Sequence, residues 1–258
     1  MTPTYPAGRD LLAGKVVVVT AAAGTGIGSA AARRCLAEGA RVVVSDWHER
    51  RLASTAADLA SSFGSSVHAQ VCDVTDEDQV QALVAGAVEH FGRLDVMINN
   101  AGLGGTASVL EMTDDEWARV LDVTLTGTFR CTRAALRQLV EQGGGGAVVN
   151  NASVVGWRAQ EGQAHYAAAK AGVMALTRCA AMDVAAHGIR VNAVAPSIAA
   201  HPFLAKVTSE ELLSSLAARE AFGRAADPWE VATVMAFLAS DYASYLTGEI
   251  ISVSSQHP

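Results

Sequence analysis

The stretch Lys15-Val16-Val17-Val18-Val19-Thr20-Ala21-Ala22-Ala23-Gly24-Thr25-Gly26-Ile27-Gly28 decides how the rest of the chain is read. Its first half is a β-branched run, the pattern of a short strand buried on both faces in a parallel sheet. Small residues follow, and Ile27 to Glu38 then reads as a helix stopped at Gly39. A strand feeding a small-residue turn and a helix N-terminus gathers free backbone N–H groups at the positive end of a helix dipole. That combination suits a pyrophosphate. Gly24, Thr25, Gly26, Ile27 and Gly28 are therefore candidate cofactor contacts. A glycine-rich turn alone is weak evidence; its place between the first strand and a helix strengthens it.

Outward from this point, strand-like and helix-like segments alternate to the end of the chain. Further strands are expected at Arg41–Ser45, Val67–Val71, Leu94–Asn99, Ala147–Asn151, Ile189–Val194 and Ile250–Ser254. Between them lie helical segments at about Glu49–Ser62, Val80–Phe91, Asp114–Glu141, Gln163–His187, Ser209–Arg219 and Pro228–Ser240. Thr75-Asp76-Glu77-Asp78 looks like a helix start, with acidic residues in the first turn. Strands regularly separated by helices predict an α/β fold, a doubly wound parallel sheet covered on both faces. With no linker and no internal repeat, residues 1–258 read as a single domain. In such a fold the ligand site lies at the carboxyl ends of the strands, where strand order reverses.

Composition narrows the partners. Half of the 258 residues are hydrophobic and the net charge is −7, which argues against disorder, a nucleic-acid partner or an anionic membrane surface. No apolar stretch approaches the roughly 18 residues of a membrane span, and the first 15 residues carry no apolar leader core. The expectation is a soluble, cytoplasmic protein. Cys35, Cys72, Cys131 and Cys179 are scattered without metal-ligand spacing, so buried free thiols are expected and no metal. Only three residues are Lys (Lys15, Lys170 and Lys206), the other basic residues being Arg.

The second strand ends at Asp46, about twenty residues past the glycines, where a carboxylate accepts from the adenosine ribose hydroxyls and repels a 2′-phosphate. This favours NAD(H) over NADP(H). Arg50 and Arg51 lie close enough in sequence to weaken that preference, or are simply solvated on the next helix. Asp73, after the third strand, either meets an adenine amino group or caps the following helix. Asn99-Asn100-Ala101-Gly102 closes the fourth strand as a wall beside the ribose and nicotinamide, or as a plain loop.

Tyr166 and Lys170 are four apart on an expected helix, hence on one face, and Ser153 lies just past the fifth strand. A phenol with an ordinary pKa near 10 is a poor base at neutral pH. An ammonium nearby stabilises the phenolate, so Tyr166 is the candidate proton-transfer residue, Ser153 the candidate ligand of the substrate oxygen and Lys170 the supporting charge. Arg would serve worse than Lys as a compact point charge there.

Taken in order, Thr20…Gly24-Thr25-Gly26-Ile27-Gly28, Asp46, Asp73, Asn99-Asn100-Ala101-Gly102, Ser153, Tyr166-Ala-Ala-Ala-Lys170, Arg190-Val191-Asn192-Ala193-Val194-Ala195-Pro196 and Tyr245-Leu246-Thr247-Gly248-Glu249 resemble the short-chain dehydrogenase/reductase family. The likeness runs from about residue 12 to 254. It implies a Rossmann-type domain, hydride transfer between nicotinamide and a secondary alcohol or ketone, and a homotetramer or dimer. It also implies cofactor contacts at Val74, Tyr166, Lys170, Pro196, Ser197 and Ile198. There are departures. Ala22 stands where the family has its first turn glycine, Thr124 where it has an Asn in its proton relay, and Ser197 where it has a Gly. The glycine-turn pattern with the Ser-Gln-His-Pro ending is similar to actinobacterial members grouped with steroid-ring catabolism, whose implied substrate is a hydroxyl on a bicyclic remnant carried as a CoA thioester.

Residues 197–224 are the expected substrate lid, opening with His201-Pro202-Phe203-Leu204 and carrying Leu212, Leu213 and Leu216 as an apolar stripe. Trp157, Arg158, Gln163 and His165 flank the Ser and Tyr; Arg158, Lys206 or Arg219 meets a CoA phosphate, or each is solvated surface. Two rival readings stand beside a steroid-ring dehydrogenase. One is a 3-oxoacyl-thioester reductase, against which Asp46 weighs. The other is a cofactor-binding regulatory protein without turnover, against which the Ser153, Tyr166 and Lys170 set weighs. The apolar helix Ala167–Ala186 further suggests packing against a second subunit.

Overall fold

The seven strands are β1 (Val16–Val19), β2 (Arg41–Asp46), β3 (Val67–Val71), β4 (Val96–Asn99), β5 (Gly146–Asn151), β6 (Ile189–Pro196) and β7 (Ile250–Val253). In the computed structural model, which describes residues 3–200 and 210–255, they form one sheet in the order β3-β2-β1-β4-β5-β6-β7. All six pairings are parallel. Strand order reverses between β1 and β4, which opens a crevice at their carboxyl ends. The helices are α1 (Ile27–Ala37), α2 (Glu49–Phe63), α3 (Glu77–Phe91), α4 (Asp114–Leu121), α5 (Gly127–Gln142), α6 (Ala164–Val184), α7 (Glu210–Arg219) and α8 (Pro228–Ala239).

Two apolar layers sandwich the sheet, as the unbroken valine runs demand. Val17, Val19, Val42 and Val149 pack with Ala31, Cys35 and Met235 on the α1 and α8 side. Val18, Val43, Val148 and Val191 pack with Leu83, Cys131, Leu139 and Ala181 on the α3, α5 and α6 side. The alternation of one strand residue to each layer fixes which side chains at the strand ends face which half of the crevice.

The long helix expected over Asp114–Glu141 is interrupted. Residues Asp122–Thr126 make a π-helical turn between α4 and α5. One residue more per turn places Thr124 inward, fully buried, at the inner face of the crevice. Cys35, Cys72 and Cys131 are buried free thiols, but Cys179 is exposed, contrary to the sequence expectation. His201, Pro202, Phe203, Leu204 and Lys206 of the expected lid lie outside the described residues, as do the side chains of Leu212 and Leu213. Residues flanking that segment are bonded to each other: Ala200 N–H donates to the Ala226 carbonyl at 2.8 Å and Ala226 N–H to the Ile198 carbonyl at 2.9 Å. Among the described residues no helix is long and apolar enough to cross a membrane.

Candidate functional site

The turn after β1 is shaped by close backbone approach. Ala21 adopts a positive φ of 48° and Gly24 one of 91°. A Cβ on Gly28 would collide with the Ala21 carbonyl and lie 2.5 Å from Asn100 Nδ2, so only glycine fits where α1 meets the turn. The N-cap of α1, Gly26, supplies no side-chain acceptor. The first-turn N–H groups of α1 are therefore left to a ligand, as a pyrophosphate site requires. Gly24 N–H donates to Thr55 Oγ1 at 2.9 Å, and Ala22 N–H to the Ser45 carbonyl at 2.8 Å, which ties the turn to β2 and α2.

Asp46 closes β2 with its carboxylate 6% exposed. It accepts from His48 N–H at 2.9 Å and from Ala23 N–H at 3.3 Å, so the acid and the glycine turn are one unit. Arg51 is not simply solvated: its guanidinium reaches within 3.8 Å of Asp46, although its side chain is 48% exposed. Asp73 does not cap the next helix. Asp76 does, accepting from Asp78 and Gln79 N–H. Asp73 Oδ1 instead accepts from Thr75 N–H and Oγ1, and Val74 packs behind it in the core.

Side-chain amides stitch the crevice floor. Thr20 Oγ1 accepts from Asn100 and Ala101 N–H at 3.0 and 3.1 Å. Asn100 Nδ2 donates to the Thr20 and Ala21 carbonyls. On the opposite layer, Asn99 Nδ2 donates to Thr132 Oγ1 and Asn150 Oδ1, and Asn150 Nδ2 to Thr177 Oγ1. These bonds hold the spacing of three strand ends and satisfy the buried amide donors there, while Asn99 Oδ1 is left without a partner.

Ser153 follows β5 directly and caps a short helical turn, its Oγ accepting from Val155 N–H at 3.3 Å. Tyr166 and Lys170 stand one turn apart on α6, Lys170 Nζ 5.5 Å from the centre of the Tyr166 ring. Burial pushes the phenol up to about 12, and a hydrogen bond with Ser153 opposes that rise. Burial pulls Lys170, 2% exposed, down to about 8. Its ammonium donates to the Asn151 carbonyl at 2.5 Å. Gly102 leaves it room: a Cβ there would lie 3.4 Å from Nζ.

Thr124, standing at the relay position, has its hydroxyl spent. It donates to the Leu103 carbonyl and accepts from Leu103 N–H, both at 2.9 Å. Its side chain thus anchors the loop after β4.

The shift on Lys170 has a measurable consequence. Between about pH 8 and pH 10.4 the unfolded chain keeps a proton on this lysine that the folded chain has released, so its burial costs stability at lower pH and none above. Lys170→Met is therefore expected to be about 1–2 kcal/mol more stable than the native chain near pH 7, with the gap closing towards pH 10. Thermal unfolding at the two pH values reads this, and an unfolding midpoint lowered equally at both would contradict it.

The flanking residues divide. Gln163 Nε2 donates to the Gly105 carbonyl at 2.6 Å, and the buried His165 accepts from Tyr166 N–H through Nδ1 at 2.9 Å. The first bond joins the loop after β4 to the start of α6, and His165 lies against the same loop at Gly105, where an added Cβ would be 3.2 Å from Nε2. Trp157 is partly exposed at 38%. Arg158 is not plain surface: its Nε and Nη2 are buried without a hydrogen-bond partner. Arg219 is exposed. Pro196 ends β6, Ser197 N–H donates to the Val253 carbonyl at 3.2 Å, and the Ile198 carbonyl accepts from Ala226 N–H. Sequence reading passed over Asn151, whose amide lies on the crevice floor; two adjacent asparagines at the end of an otherwise apolar strand were the available signal.

The crevice thus brings together, at the carboxyl ends of β1, β2, β4, β5 and β6, a free helix N-terminus, a carboxylate and a Ser-Tyr-Lys group. Comparison with known proteins agrees. The family model described as enoyl-(acyl carrier protein) reductase matches residues 21–255. A (5R,7aS)-5-hydroxy-7a-methyl-1-oxo-2,3,5,6,7,7a-hexahydro-1H-indene-carboxyl-CoA reductase of Mycobacterium tuberculosis is 66% identical over 258 residues, covering 100% of this chain and 98% of that protein. The meso-2,3-butanediol dehydrogenase of Serratia marcescens is 43% identical, covering 93% and 92%. A crystal structure of a short chain dehydrogenase from Mycobacterium smegmatis superposes with a TM-score of 0.90 at 57% identity, covering 100% of this chain and 99% of that one. The chain belongs to the short-chain dehydrogenase/reductase family, a family of nicotinamide-dependent oxidoreductases acting on CH–OH groups.

Proposed function

We propose that this enzyme moves a hydride between NAD(H) and a secondary alcohol or ketone on a bicyclic, steroid-ring-derived acyl-CoA. The chemistry is carried by one observation: Tyr166 is hydrogen-bonded to Ser153 and underlain by the Lys170 ammonium at the mouth of the crevice. The substrate class is supported by the indene-carboxyl-CoA reductase, similar over the full length.

The nicotinamide, when bound, supplies the hydride acceptor or donor. Ser153 Oγ holds the substrate oxygen, and Tyr166 takes the alcohol proton in oxidation or returns it in reduction. In the bare site burial opposes ionisation of the phenol, so the phenolate forms only when positive charge gathers beside it. Lys170 supplies part of that charge and also reaches towards the cofactor ribose. Gly24, Thr25, Gly26, Ile27 and Gly28 hold the pyrophosphate, and Asp46 the adenosine ribose. Asp73 and Val74 border the adenine, Asn100, Ala101 and Gly102 the central wall, and Pro196, Ser197 and Ile198 the nicotinamide side.

The preference for NAD rests on Asp46, because a buried carboxylate repels a 2′-phosphate. Asp46→Ser is expected to raise the NADP-to-NAD ratio of kcat/KM by roughly 10- to 100-fold, with Arg51 then free to meet the added phosphate. A ratio that stays put would remove Asp46 as the discriminating residue.

A homotetramer, or a dimer within it, is supported by an exposed seam of small and apolar residues along α6: Ala168, Ala171, Ala175, Cys179 and Met182, the last 79% exposed. Their spacing of three or four puts them on one face. Solution scattering should give at least twice the monomer mass; a monodisperse monomer would rule the assembly out.

A further inference from the structure

Besides its main-chain N–H, Asn151 ends β5 with three polar groups, two of them spoken for. Its main-chain carbonyl accepts from Lys170 Nζ, and its Nδ2 donates to Asn100 Oδ1 at 2.9 Å. Its Oδ1 is buried with no hydrogen-bond partner. The orientation of this amide is forced. Asn100 gives its own NH2 to the Thr20 and Ala21 carbonyls, so it presents an oxygen to Asn151, and Asn151 must answer with its NH2 and turn its oxygen away.

The strand alternation says which way. Asn150 faces α5 and α6, where it meets Thr177, so Asn151 faces the layer of α1 and the glycine turn. On its other side it is paired with Val194, two residues before Pro196 and three before Ser197. The unpartnered oxygen therefore lies among the carboxyl ends of β4, β5 and β6, across the sheet edge from Tyr166 and Lys170. An orphaned buried acceptor costs about 1–3 kcal/mol and is retained where something else supplies the donor.

We propose that Asn151 orients the nicotinamide, its Oδ1 accepting a hydrogen bond from the carboxamide N–H of the bound cofactor. The ribose hydroxyls, the other donors of that half, fall to Tyr166 and Lys170 on the opposite face. The inference rests on the nicotinamide-binding reading given above. Through Asn100, the same amide also couples the nicotinamide end to the glycine turn that holds the pyrophosphate.

The test is equilibrium binding by protein fluorescence, using three probes: NADH, its reduced acetylpyridine analogue, whose methyl ketone lacks the N–H donor, and ADP-ribose, which lacks the ring. Asn151→Leu should weaken NADH about tenfold while leaving the analogue and ADP-ribose near their native affinities. Asn151→Ala, smaller and without an acceptor, should show the same split should the Leu variant fold poorly. Equal weakening of all three probes would mean that Asn151 acts only through Asn100 and the turn, and would overturn the proposal. So would unchanged NADH binding. Native protein that binds ADP-ribose but not NADH would instead remove the nicotinamide reading on which it stands.

Discussion

Tyr166→Phe should lower kcat/KM by roughly 100- to 10,000-fold in both directions of reaction, while NADH still binds. In the proposed mechanism the Tyr166 hydroxyl is the group that exchanges a proton with the substrate oxygen. The ring itself packs near Gly104, where an added Cβ would lie 3.7 Å from it, and phenylalanine keeps that contact. Fold and cofactor affinity should therefore survive. Steady-state rates paired with NADH titration check this. A variant retaining more than a tenth of native turnover would assign the proton transfer to another group, and one that loses NADH binding as well would make the loss structural.

Gly28→Val carries the second large effect, and it acts before chemistry begins. A Cβ at this position collides with the Ala21 carbonyl and crowds Asn100 Nδ2. Neither neighbour is free to yield: Ala21 is already at positive φ, and Asn100 is fixed by Thr20, Ala21 and Asn151. The turn must move off the N-terminus of α1, which carries the donors for the pyrophosphate. Stability should fall by about 1–3 kcal/mol, and NADH affinity by more than 100-fold, measured by chemical unfolding and fluorescence titration. Native affinity in this variant would show that the cofactor does not approach the α1 N-terminus.

Both predictions concern residues legible from sequence, for a physical reason. The valine runs of a parallel sheet and the small residues of a strand-to-helix turn have no freedom to be anything else, so Val16–Val19 and Gly24–Gly28 announce both element and site. Tyr166 and Lys170 were legible because helical spacing alone puts them on one face. The π-helical turn at Asp122–Thr126 was not, since an extra residue in a helical turn changes no apolar pattern; it came with Thr124, whose hydroxyl turned out to hold Leu103. Asp73 looked as suitable a cap as Asp76, and only the backbone path after β3 separates them. The orphaned groups of Asn151 and Arg158 depend on which neighbours fail to meet them, a property of three-dimensional packing that spacing does not encode.

The central claim is that these residues move a hydride onto or from nicotinamide. It is tested most directly by mixing the native chain with NAD and a hydroxy-indane propanoyl-CoA and following the absorbance of reduced nicotinamide. The predicted result is a rate proportional to protein, much lower with NADP, with one ketone formed for each nicotinamide reduced. Tight NADH binding with no absorbance change, across that thioester, 3-hydroxyacyl-CoAs and simple secondary alcohols, would contradict it and leave a cofactor-bound protein that does no chemistry.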